Sequence, residues 1–188
     1  MAIETPHYKI LDKDGHIEHR VYDGYITANV QVNADNYKSA GSMAFGVLAD
    51  YIFGNNTKNS KIAMTAPVTI QKPSTSEKIA MTAPVTTAKL DDQKYVISFT
   101  MPASYTLEDL PKPNNESVII KTMPAHEVVA IEFSGYTSEG DIEKKSNELS
   151  EWANNKHINI ASQPTVLRYD PPWKPGFLRR NEVCFNVV

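Results

Sequence analysis

A chain of 188 residues, 41% hydrophobic and 22% charged with a formal charge of −3, is long enough to bury one genuine core and shows no basic stripe suited to nucleic acid. Its lone cysteine, Cys184, excludes an internal disulfide and any multi-cysteine zinc or iron–sulfur site. The opening MAIETPHYKI lacks a basic n-region and an apolar h-region, and no apolar run reaches the length of a membrane span; a single soluble, cytoplasmic domain over residues 1–188 is expected.

Residues Tyr8 to Val32 carry two or three strand signals. His16 to Tyr22 alternates, with Ile17, His19 and Val21 on one face and Glu18, Arg20 and Tyr22 on the other. Asp23-Gly24 is a hairpin-type turn signal, and Gly24 to Val32 alternates again through Ile26, Ala28, Val30 and Val32. Asn33-Ala34-Asp35 offers a helix cap. From Asn36 to Phe53 the period is helical, with a stripe at Tyr37, Ala40, Ala44, Val47, Leu48, Tyr51 and Ile52 that Gly54 ends.

The phrase KIAMTAPVT then occurs twice, at Lys61–Thr69 and Lys78–Thr86. In each copy Ile, Met, Ala and Val fall on alternate residues, the pattern of one strand face. Pro67 and Pro84 lack the N–H of a ladder, so each strand should bend or lie at an edge there. The expectation is a hairpin turned at Gln71 to Glu77, with Met64 and Met81 on one wall.

A further strand is expected at Lys94 to Met101, a proline-rich loop at Pro102 to Asn115, and a second hairpin from Ser117–Thr122 and Glu127–Phe133 around Met123-Pro124-Ala125. Ser138 to Asn155 reads as a second helix with a narrow apolar face at Ile142, Leu149, Trp152 and Ala153. Strands at Thr165–Tyr169 and Glu182–Val187 flank the loop YDPPWKPGFLRRN. The order hairpin, helix, strand pair thus appears twice, over residues 16–88 and 117–188. Two such β-α-β-β halves suit an α+β fold: a distorted antiparallel β-sheet or open barrel with two flanking helices.

KIAMTAPVT, FTMPASYTLEDLPKPN and YDPPWKPGFLRRNEV, taken together and in this order, resemble the SOUL/haem-binding-protein family over about Tyr8 to Val187. The twin Met-Thr-Ala-Pro-Val phrases resemble its bacterial and plant members. The resemblance implies a distorted antiparallel barrel with two helices, and reversible, non-catalytic binding of haem or another tetrapyrrole. Some members are proposed to ligate iron through a histidine in the strand before the Tyr-Gly turn. Val21 occupies that place here, and His19, two residues back on the same face, is the nearest imidazole.

Haem asks for a flat apolar slot, cations for its propionates and, optionally, an axial ligand. The helix at Met43, Val47 and Tyr51 is one candidate wall, with Met64 and Met81 as polarizable contacts near the floor. The loop from Tyr169 is the other: Trp173 and Phe177 supply aromatic surface, Lys174 and Arg179 positive charge. His19 is the candidate metal ligand. Helical stripes and methionines are more often plain core, and arginines more often pair with acids or sit in water. No HExxH, GxSxG, P-loop or dinucleotide fingerprint occurs. Two other functions fit the same residues: an effector-binding module for an apolar or cationic small molecule, and a hydrolase of tetrapyrrole esters or small lactones, which needs an acid or base of perturbed pKa in the groove.

Overall fold

The computed structural model describes residues 4–58, 76–91, 93–161, 163–171 and 173–188. Their elements are β1 (Tyr8–Asp14), β2 (Ile17–Tyr22), β3 (Tyr25–Asn33), α1 (Tyr37–Phe53), β4 (Asn56–Thr57), β5 (Val85–Asp91), β6 (Lys94–Thr100), β7 (Lys112–Pro113), β8 (Ile119–Met123), β9 (His126–Phe133), α2 (Glu139–Asn155), β10 (Thr165–Arg168) and β11 (Asn181–Asn186). Nine strands form one antiparallel sheet in the order β1-β2-β9-β11-β10-β5-β6-β3-β8, and β4 pairs with β7.

The two halves are present, and each lends its first strand to the other. β2 pairs with β9, and β3 with β8, in place of the expected β2–β3 and β8–β9 hairpins. The corners after β2 and β8 lie against each other, a Cβ on Gly24 falling 3.3 Å from the Met123 carbonyl oxygen. The hairpin in this region is made instead by Gly15-His16, where Gly15 has φ 58°, and it joins β1 to β2. Near opposite ends of the sheet order, β2 and β3 still meet: the Tyr22 and Tyr25 rings lie edge to face at 6.1 Å, and Tyr22 stacks on His126 at 5.6 Å. The sheet is therefore curled into a half-barrel.

Period-two alternation sends one set of side chains under the helices and the other to the inner face. Ile97, Val129, Ile131, Val166 and Val183 form the helix-side core with Leu48 of α1 and Leu149 of α2. The buried residues of α2 are Ile142, Leu149, Trp152 and Ala153, the narrow face that its sequence spacing describes. Asn36 caps α1, accepting from the Ser39 N–H at 2.8 Å; Ser138 and Asp141 form a capping box on α2; Gly54, φ 126°, closes α1.

The first KIAMTAPVT copy and most of the expected turn lie outside the described residues. The second copy is not a strand until Val85, immediately after Pro84, because β5 is flanked by β10 and β6 and a proline there would remove a ladder donor. Ile79 and Ala83 are buried while Met81 is 42% exposed. Asn56 holds this segment below α1, donating to the Glu77 carbonyl at 2.8 Å and accepting from its N–H at 2.9 Å.

Candidate ligand groove

α1 buries Tyr37, Ala40, Ala44 and Leu48 in the core, which turns Lys38, Gly41, Ser42 and Phe45 outward along its neighbouring flank, at the i, i+3, i+4, i+7 spacing of one helix surface. Opposite that flank stands the turn from β9 into α2, Tyr136 to Glu139. Between them the strand ends supply a floor of Val85 and Arg168, continued by Asp170, Arg179 and Asn181. The resulting groove has a volume of about 900 Å³, within the range of small-molecule sites. Phe45 packs edge to face on Phe99 with centroids 5.4 Å apart, which fixes one apolar edge.

Both helices begin at this groove. Asn36 and Ser138, their caps, line it, and Glu139 accepts the Tyr37 N–H at 3.0 Å, tying the two N-termini together. The positive ends of two helix dipoles therefore converge on one pole. Lys38, Arg168 and Arg179 add three cations against Glu139 and Asp170. Burial pushes Asp170 up, but the Arg180 N–H and the Lys174 ammonium hold it below the ordinary carboxyl value. Burial draws Arg168 below the usual arginine value, and Glu139 and Tyr37 offset this only in part.

Thr137 is the strained residue of the site: β-branched, buried, with φ 56°. Its hydroxyl donates to the Tyr136 carbonyl at 2.6 Å and accepts from Arg168 Nε at 3.0 Å. The segment after β10 is seated through Gly176, whose Cβ position falls 2.4 Å from the Tyr136 ring, and through the Gly135 N–H bonded to the Gly176 carbonyl at 3.0 Å. Arg179 lies over the Tyr136 ring at 5.0 Å and donates to the Lys174 carbonyl at 2.7 Å.

Of the residues singled out from the sequence, Arg179 lines the groove. Trp173 and Phe177 stand on the neighbouring segment, 83% and 76% exposed, and Lys174 pairs with Asp170 at 2.6 Å. Met43 is exposed on a flank of α1 turned away from the groove, and Val47 packs against the core. Tyr51 is buried, donating to the Pro111 carbonyl at 2.8 Å, so it cannot form a ligand wall. Tyr169 occupies the inner face, donating to Glu182 at 3.0 Å, because adjacent strand residues point to opposite sides and Arg168 takes the groove side. Met81 is not among the lining residues, and Met64 lies outside the described residues. His19 also does not line the groove; its Nε2 lies 3.0 Å from Glu127. Among the described residues no group of three His, Cys, Asp or Glu side chains could hold a metal ion.

Sequence reasoning missed Lys38, Phe45, Tyr136, Thr137 and Arg168. Arg168 had a readable signal: it shares the core-facing register of Val166, where a charge needs a reason. A smaller recess of about 360 Å³ is walled by the N-terminal segment Glu4–His7 and the corner Asp23–Ile26; its acids are Glu4 and Asp23, and no lysine or arginine lines it.

Curled sheet, paired helices and lateral groove define an α+β half-barrel. The family model described as SOUL heme-binding protein matches residues 3–186, and the chain belongs to that family. It is 27% identical to "Heme-binding protein 1" of Xenopus tropicalis over 176 residues, covering 93% of this chain and 85% of that protein. Against "Heme-binding protein 1" of Bos taurus the identity is 25% over 186 residues, with 97% and 91% covered. Among solved structures, the EcmrR C-terminal domain has the same fold with a TM-score of 0.62 at 13% identity, over 96% of this chain and 98% of that one. A hydrolase from Listeria innocua shares it with a TM-score of 0.56 at 11% identity, over 95% and 94%. No helix among the described residues is long and apolar enough to cross a membrane.

Proposed function

We propose that this protein binds haem or a related tetrapyrrole, reversibly and without catalysis, in the groove between α1 and the 170–179 segment. The observation that carries the reading is the pairing of an apolar ledge at Phe45, Val85 and Tyr136 with cations at Lys38 and Arg179 in a groove of about 900 Å³. A macrocycle lies on the ledge while its propionates reach the cations. Exposed Trp173 and Phe177 extend the apolar surface beside it. Family membership and the names of the relatives support haem as the ligand. The groove opens to solvent along Lys38, Ser42 and Tyr136, an arrangement suited to loading and release in buffering, transport or sensing.

The excess of cations disfavours a cationic effector. The described lining residues include no histidine or cysteine, and the Asp170 carboxyl is held below its ordinary value, which favours binding over hydrolysis. Titration of hemin into the purified protein tests the proposal: a saturable Soret shift at micromolar concentration is expected, and its absence overturns the reading.

A further inference from the structure

Two arginines of this chain are held differently: Arg20 is buried, while Arg168 is half-buried and lines the groove. Arg20 spends its fork on Glu182, with Nη1 to Oε2 at 2.8 Å and Nη2 to Oε1 at 3.0 Å. Arg168 has no carboxylate within ion-pair distance among the described residues. Its Nε donates to the Thr137 hydroxyl at 3.0 Å and its Nη1 to the Thr87 hydroxyl at 3.4 Å; both partners are neutral. Glu139 acts on it through space, but its Oε1 is engaged on the Tyr37 N–H. A partly dehydrated guanidinium whose hydrogen-bond partners are neutral keeps its charge available to an incoming anion.

The surroundings are shaped for such a meeting. Thr137 takes the Nε hydrogen and Thr87 one Nη1 hydrogen, which leaves the other Nη1 hydrogen and Nη2 as the fork for a ligand in the groove that Arg168 lines. Gly41 of α1 faces that fork, its Cβ position 3.8 Å from Nη1, so the helix offers no side chain there. Thr137 accepts left-handed backbone at the point where its hydroxyl meets Arg168. The caps of both helices stand at the same pole.

We propose that Arg168, clamped by Thr87 and Thr137 beneath Gly41, is a carboxylate clasp at the floor of the groove, selecting apolar ligands that carry an anionic head over their neutral esters. This inference rests on the groove being the ligand site and adds the feature by which ligands are chosen. A charge-assisted, two-point contact predicts a discrimination of about tenfold or more.

The test compares protoporphyrin IX with its dimethyl ester by fluorescence titration, in the wild type, in Arg168→Gln, which keeps a donor for the threonines, and in Gly41→Leu, which covers the fork without removing the charge. A wild-type preference for the diacid of tenfold or more, abolished in both variants while Arg168→Gln melts no lower than wild type, is the expected result. Equal binding of diacid and diester, or a preference that survives Arg168→Gln, overturns the clasp and leaves tetrapyrrole binding standing. If neither porphyrin binds, an apolar arylsulfonate, 8-anilinonaphthalene-1-sulfonate, serves as probe. Binding lost in Arg168→Gln upholds the clasp while the tetrapyrrole reading falls; unchanged or absent binding overturns both.

Discussion

Arg20 and Glu182, 162 residues apart in the chain, meet as a bidentate ion pair on the inner face of the half-barrel, each less than 2% exposed. The pair is the centre of a larger set. Glu18 accepts from Arg20 at 2.7 Å, Arg180 reaches Glu182 at 2.7 Å and Glu132 at 3.0 Å, and Tyr8 lies 4.5 Å beneath the Arg20 guanidinium. Burial pushes Glu182 up, but Arg20 and Arg180 outweigh it and hold the carboxyl below its ordinary 4.5. The stability it contributes is therefore fully present above pH 4.5 and is lost as pH falls through the lowered folded value. Glu182→Gln should cost about 3 kcal/mol at neutral pH, the low end for a broken buried pair, because Glu18 still holds Arg20 Nε. Denaturant unfolding should show that gap narrowing below pH 4.5, and a pH-independent gap would refute the assignment. The double change Arg20→Met with Glu182→Leu should cost less than either single change.

Iron, if bound in the groove, lies away from His19. Among the described lining side chains only the Tyr136 hydroxyl belongs to the usual set of haem ligands. His19→Ala is expected to leave the hemin spectrum unchanged, and Tyr136→Phe to shift it. A Soret band that moves with His19→Ala alone places the iron elsewhere.

Gly176→Ala tests how the groove rim is set. A methyl there meets the Tyr136 ring at 2.4 Å, yet that ring is 71% exposed and can swing. The expected cost is at the low end of overpacking, about 1 kcal/mol, with a larger loss in hemin affinity as the ring leaves its place. Thermal melts and titration of one preparation separate the two effects; an unaltered affinity would show that the rim does not touch ligand.

His157 follows α2 with φ 59°, exposed. Its N–H bonds to the Asn154 carbonyl at 3.0 Å, a helix end of the kind that glycine usually makes. His157→Gly should stabilise by about 0.5–1 kcal/mol as the left-handed strain is relieved. A lower melting temperature would contradict this.

Much of the fold was legible because local pattern and tertiary demand agreed. Ile142, Leu149, Trp152 and Ala153 announce the docked face of α2, and they are its buried residues. Asp23-Gly24 misled because a turn signal reports that the chain bends, not which strand it then meets. Pairing was decided across the halves, where β9 and β8 compete with the nearer partner. The site was less legible. Aromatic and methionine positions on α1 drew the eye, but Tyr51 is core, while the groove flank is made of a lysine, a glycine, a serine and one phenylalanine. Nothing in period or composition distinguishes such a flank from ordinary surface. Arg168 was visible only as a charge in the register of Val166, and its meaning depends on Thr87 and Thr137, which come from two other parts of the chain.

Cys184 sits on β11 beside this inner network, buried, its thiol pushed up to about 12 by burial and by Glu182. In the native molecule it is both buried and un-ionised, so alkylation should follow the moments when the half-barrel opens. With a single thiol in the chain, the labelling rate is a clock for that opening, read at one known position and without any engineered probe.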